Sequence, residues 1–242
     1  MDDIERAIRK YRIRRTARMD ARWEESEHPR DKDGKFASLS GNGGSAGKVT
    51  QKTREMAKRH GIEIDSRVRT AKQDSNYKFI NPNFGKGKDY SLNCGNCCIA
   101  YELKRRGMDV EAAPRQWMNK KEFHALFNGF KWQPIKAKRK EAAKKEIEAE
   151  MLKMGDGARG IVFSEWDGRR TGHFFNFEVE NDKVHFLDCQ SGDDANSYFD
   201  SMKPSQLVFA RTDSLEIRDS IFACVRGRKK NGFEKGSNRN SG

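Results

Sequence analysis

Long apolar runs are missing from this 242-residue sequence, and so is enough hydrophobic content to make a core of all of it. Nothing approaches the ~18 consecutive apolar residues that a membrane-spanning helix requires. The opening residues, MDDIERAIRKYRIRR, lack the apolar stretch of a secretory signal. The expectation is a soluble chain that works in a cytosol and has no membrane partner. At 35% hydrophobic and 35% charged residues the composition is lean, so part of the chain is expected outside any core. Cysteine is scarce and odd in number, five in all, with Cys94, Cys97 and Cys98 clustered. A chain of this length needs no staples, which argues against a disulfide framework and leaves reactive thiols or a metal site. Negative charge is also short: 36 Asp and Glu face 49 Lys and Arg, giving +13 and a pI near 9.6. Such a balance favours any polyanion, whether nucleic acid, anionic membrane or acidic protein, and charge alone does not choose among them.

What is present divides along the chain. Ile4, Ala7, Ile8 and Tyr11 recur at helical spacing, so residues 1–36 are expected to form a charged helical arm with a narrow apolar stripe. Gly and Ser dominate residues 37–50, the composition of a flexible linker. A catalytic domain is expected over 51–225 and a disordered basic tail over 226–242. Within the domain, helices are expected from Val49 to Ile64, from Cys97 to Arg106 with a stop at Gly107, over an amphipathic piece at 117–130, and over the Lys/Glu-rich run that ends at Gly155. That last helix should turn Ala143, Ile147 and Met151 inward and keep its charges solvated. The period then changes to two: RGIVFSEW, HFFNFEVE, KVHFLDCQ and LVFAR read as strands of an antiparallel sheet. The fold class is α+β.

One hairpin permits a geometric deduction. If HFFNFEVE and KVHFLDCQ pair across a two-residue Asn181-Asp182 turn, partners sum to 363 in residue number, and His173 shares a face with Phe175, Phe186, Asp188 and Gln190. His173 and Asp188 are then diagonal neighbours, about 7–8 Å apart at the backbone, and their side chains can meet. His185 points to the other face. A carboxylate holding one imidazole nitrogen fixes the tautomer and leaves the other to take a proton from a nucleophile. The stretch NCGNCC supplies the nucleophile: with Asn96 as N-cap, Cys97 opens a helix whose dipole favours a thiolate. Cys97, His173 and Asp188 then form a triad, with Asn93 or the Cys97 backbone N–H as oxyanion donor. Cys98 reads as packing. Rival readings are zinc held by Cys94, Cys97, Cys189 and a histidine, or a redox CxxC, and either is weak without a second CxxC or a βαβ context.

The blocks NCGNCCIAYELKRRGMDVEA, GDGARGIVFSEW and GHFFNFEVENDKVHFLDCQSG resemble the papain-fold toxin domain of the protein-glutamine deamidase type, found in bacterial polymorphic toxins and phage-encoded proteins. The resemblance spans roughly residues 75–225. It implies a papain-like fold with the nucleophile helix packed on the sheet, no cofactor, and a thiol, His and Asp that fall on Cys97, His173 and Asp188. Gln190 matches the family's DxQ position. Cys189 stands where the family often has Pro. Cys97 is preferred as the attacker on the capping argument, and Cys94, otherwise a supporting residue, is the alternative. The implied activity is deamidation of a target protein's Gln side chain; the same triad could serve proteolysis or transglutamination. Separately, EHPRDKDGKFA resembles a segment of phage minor head proteins, which implies virion association and a capsid or portal partner docked through residues 1–40. The competing reading is a head-associated structural protein with an inactive papain-like fold and a basic, DNA-holding surface.

Overall fold

The computed structural model describes residues 49–64 and 77–228. The expected arm, most of the linker and most of the tail lie outside the described residues, as does the segment that resembles phage head proteins.

Helix α1 (Gln51–Arg59) is capped by Thr50, whose hydroxyl accepts from the Thr53 N–H, and it ends before Gly61, whose φ of 66° suits a residue without a side chain. A single turn, α2 (Lys88–Ser91), precedes α3 (Cys94–Arg105), and α4 is Lys140–Leu152. The strands are β1 (Val110–Ala112), β2 (Gln133–Pro134), β3 (Arg159–Glu165), β4 (Gly172–Glu180), β5 (Lys183–Asp188), β6 (Asp193–Asp194), β7 (Val208–Arg211) and β8 (Val225–Gly227). Six of them form one antiparallel sheet in the order β2-β7-β3-β4-β5-β6, and β1 pairs with β8. Arg226 and Gly227, expected in the tail, belong to β8. The amphipathic piece at 117–130 is a short 3-10 turn, Lys120–Ala125, closed by a capping box between Asn119 and Glu122.

The sheet has a helix on each face. On one, Ala143, Ile147 and Met151 of α4 bury against Val162, Phe175, Phe177, Val179, Phe186 and Phe209. On the other, Cys97, Cys98, Ile99, Ala100 and Leu103 of α3 meet Ile161, Phe174, Leu187 and Ala210. Alternation along β4 and β5 produces this division, since successive side chains point to opposite faces. Each fully buried Phe or Leu contributes about 1.5–3 kcal/mol, so the two faces carry most of the cohesion. At Gly160 of β3 an added Cβ would lie 2.0 Å from the Ala210 carbonyl oxygen and 2.5 Å from the Phe177 ring, so only glycine lets β3, β4 and β7 pack this closely.

Helix α3 differs from an ordinary amphipathic helix in being buried from Gly95 to Lys104, charges included. Glu102 accepts from Arg106 and Arg159, and Glu178 of β4 accepts from the Tyr101 hydroxyl and from Arg105. Burial would raise the Glu102 pKa, but the charges of Arg159 and Arg106 hold it below the usual carboxylate range. The helix is thereby fixed to β3 and β4 by ion pairs as well as by apolar contact.

Candidate functional site

The β4–β5 hairpin has the register that its turn implies. Glu180 pairs with Lys183, Val179 with Val184, Glu178 with His185 and Phe177 with Phe186. Asn181 and Asp182 have φ of 52° and 55°, the left-handed pair that a two-residue turn of this twist needs. His173, second in β4, and Asp188, last in β5, meet with Nε2 3.2 Å from Oδ1. This is a charge contact whose angle falls short of an aligned hydrogen bond. His185 lies opposite Glu178, on the other face from His173.

Asp188 is held on several sides. Its Oδ2 accepts from the Tyr198 hydroxyl at 2.6 Å and the Ser191 hydroxyl at 2.9 Å, and its Oδ1 accepts from the Gln190 N–H at 2.9 Å. Burial would push this carboxyl's pKa up; the charge of His173 and these hydrogen bonds override it and hold it down, at about 2. Burial likewise would lower the pKa of His173, but the Asp188 charge outweighs it and, with a contribution from Cys94, raises it to about 10. Trp166 stacks on the imidazole at 5.9 Å between centroids, and Tyr198 meets it edge-on at 5.5 Å.

The thiol that bears on His173 is that of Cys94, which adds to the upward shift of the imidazole pKa after Asp188. Cys94 is the first residue of α3, with Asn93 in the N-cap position, and it is partly exposed. The premises that favoured Cys97 therefore do not hold. Asn96 sits inside the helix rather than capping it, and Cys97 lies one turn in, fully buried, with its Sγ 3.4 Å from Asn93 Oδ1. Burial, then the neighbouring Cys94, Cys189 and Asp188, push the Cys97 thiol well above its ordinary pKa, the opposite of what a ready nucleophile needs. Cys98 is buried, as packing requires.

Asn93 is not free to bind an oxyanion. Its Oδ1 accepts from Gln190 Nε2 at 3.2 Å and Asn81 Nδ2 at 3.3 Å, and its Nδ2 donates to the Ala113 carbonyl at 3.3 Å and Asn81 Oδ1 at 3.5 Å. The Cys97 N–H donates to the Asn93 carbonyl as the first bond of the helix. Both proposed oxyanion donors are thus occupied. Asn93 and Gln190 instead form a buried bracket that ties the start of α3 to the end of β5. Asn81, which also donates to the Gln190 carbonyl at 3.2 Å, completes it.

Gly95, next to Cys94, is required by packing: an added Cβ would lie 2.7 Å from Met118 Sδ and 2.9 Å from Met118 Cβ. All five cysteines are free, and among the described residues no group of three or more His, Cys, Asp or Glu is placed to hold a metal ion. Sequence reasoning missed Asn81, Trp166, Ser191 and Tyr198. Trp166 ends the RGIVFSEW strand block and Tyr198 lies in a polar connector, so neither carried a local signal.

A thiol at a helix start, an imidazole and a carboxylate thus converge at one end of the sheet, with Cys94 and Asp188 drawn from opposite ends of the stretch between Leu92 and Asp193. Residues 92–193 match the family model for papain fold toxin 1, glutamine deamidase. The matched span contains Cys94, His173, Asp188 and Gln190, is narrower than the 75–225 expected, and excludes the head-protein-like segment. Mixed helix and antiparallel sheet agree with this papain-like α+β fold. No curated protein matches the chain, and no solved structure does. Among the described residues no helix is long and apolar enough to cross a membrane.

Proposed function

We propose that the papain-fold domain is a cysteine-dependent protein-glutamine deamidase, with Cys94 as nucleophile, His173 as acid and base, and Asp188 as the residue that orients and charges His173. The observation that carries this reading is the His173–Asp188 pair, an imidazole held against a buried carboxylate, with the Cys94 thiol at the start of α3 close enough to bear on the imidazole's pKa. Cys94 sits at the start of α3, beside His173 and partly exposed to solvent, where a substrate can reach its thiol. Nε2 of His173 faces Asp188, which leaves Nδ1 for the thiol.

The steps follow from these positions. The Cys94 thiolate adds to the side-chain carboxamide carbon of a target Gln. The oxygen becomes an oxyanion, stabilised by the N–H groups of the first turn of α3, which precede the first intrahelical bond. His173 gives its proton to the departing nitrogen, ammonia leaves, and a thioester to Cys94 remains. His173, now neutral, takes a proton from water; the hydroxide adds to the thioester, and collapse releases Glu and restores the thiolate–imidazolium pair. Asp188 stays ionised throughout. The family match to glutamine deamidases favours this outcome over proteolysis and transglutamination. It also favours a protein substrate and a toxin role.

The reading is tested by incubating the protein with a glutamine-bearing protein panel and measuring intact masses. A gain of about one dalton per site, with ammonia released, is expected. Its absence with every substrate, or its persistence in Cys94→Ala, contradicts the proposal.

A further inference from the structure

The loop that passes beside Cys94 exposes one bulky side chain in an unfavourable backbone conformation. Trp117 is 51% exposed and has φ of 62°, in the left-handed region that a bulky residue rarely adopts. Nothing about its solvent exposure rewards that geometry, since an indole in water gains nothing from burial. The backbone is nonetheless held there. The Trp117 N–H donates to the Leu92 carbonyl at 3.2 Å, and the Trp117 carbonyl accepts from Arg115 Nε at 2.9 Å. Arg115 is in turn anchored by Glu122 and by its own N–H, which donates to the Asp89 carbonyl at 2.8 Å. The next residue, Met118, packs on Gly95. Residues 117 and 118 therefore touch the chain on either side of Cys94, at 92 and at 95. Strained residues that the surroundings over-determine cluster where a side chain must be presented to a ligand.

We infer that Trp117 is a specificity-determining residue, the apolar wall on the Cys94 side of the site, and that it grips a target-protein segment carrying an apolar or aromatic residue next to the glutamine. The inference rests on the assignment of Cys94 as the reactive thiol. An indole offers a large rigid face at low entropic cost, which suits it to such a contact. It makes no contribution to the chemical step, so removing it should weaken recognition of substituted substrates and leave the thiol's reactivity intact.

The test measures alkylation rates of Cys94 in the full chain, by intact mass and peptide mapping, with iodoacetamide and with N-benzyl-iodoacetamide. In both, the thiolate displaces iodide and forms a carbon–sulfur bond; only the second carries an aromatic group beside its amide. Wild type is compared with Trp117→Ala and Trp117→Gly. Glycine suits φ of 62°, so the second variant should keep or raise the melting temperature and separates lost contact from misfolding. The expected result is a fall of about tenfold in the benzyl probe's rate in both variants, with the iodoacetamide rate unchanged. Equal benzyl-probe rates in all three proteins, or failure of both probes to reach Cys94, overturn the inference. Failure of the deamidase reading would look different: the Trp117 effect would persist while no glutamine peptide released ammonia.

Discussion

At the scale of residues, the neighbourhood of Cys94 shows how a local rule can be right in kind and wrong by one turn. Asn93 and Asn96 are each followed by a cysteine, and either could cap a helix. The capping argument chose Asn96. The helix starts three residues earlier, after Asn93, whose side chain makes no capping bond and is engaged instead by Asn81, Gln190 and Ala113. A sequence holds no local trace of those partners. His173 and Asp188, by contrast, were legible: a two-residue turn fixes the register, and a period of two fixes the face. Because Asp188 raises the pKa of His173 by its charge, Asp188→Asn should lower it. If activity requires the imidazolium, its alkaline limb should move to lower pH, and a pH–rate profile reads this directly. An unmoved limb would separate Asp188 from the titration of His173. Gly95→Ala should force Met118 away from the start of α3, destabilise by about 1–3 kcal/mol in urea unfolding, and reduce ammonia release.

At the scale of elements, α3 buries charge as well as hydrocarbon. The sequence YELKRR is mostly charged, yet Tyr101, Glu102 and Lys104 are all buried. The partners of Glu102 and Tyr101, Arg159 and Glu178, sit on strands more than fifty residues away, which periodicity within the helix cannot reveal. Arg159→Ala leaves Glu102 with Arg106 and Thr212 alone and should cost about 3 kcal/mol, toward the lower end for a broken buried pair, measured by chemical unfolding. The β4–β5 turn offers a change of the opposite sign. Asp182 has φ of 55°, and its N–H, which donates to Asp156 Oδ1, is retained by any replacement other than proline. Asp182→Gly should stabilise by about 0.4–1 kcal/mol, seen as a higher melting temperature.

At the scale of the whole molecule, the site exists because two layers meet at the end of a sheet. His173 and Asp188 share the strand face that packs on α4, and Cys94 belongs with the core on the α3 face. The strands β3, β4, β5 and β7, their antiparallel pairing and α4 with its inward Ala143, Ile147 and Met151 were readable from periodicity, whereas the short β2, β6 and β8 were not. The strand order was not, because β2, β7 and β3 are brought together by long-range pairing that leaves no local mark. The His173–Asp188 pair also links the site to global stability. The carboxyl is depressed from 3.8 to about 2, so its contribution is full above pH 4 or so and is lost as pH falls through about 2. The imidazole is raised from 6.5 to about 10, so its contribution is full below 6.5 and is lost as pH rises through about 10. Both shifts describe one interaction, which should be strongest between those limits, and wild type should lose more unfolding free energy than Asp188→Asn between mildly acidic and alkaline buffer. The central claim is the identity of the nucleophile. It is tested most directly by measuring ammonia release from a glutamine substrate with Cys94→Ala and Cys97→Ala side by side: Cys94→Ala should be inactive while folded and Cys97→Ala should retain activity, and the reverse pattern would contradict the account.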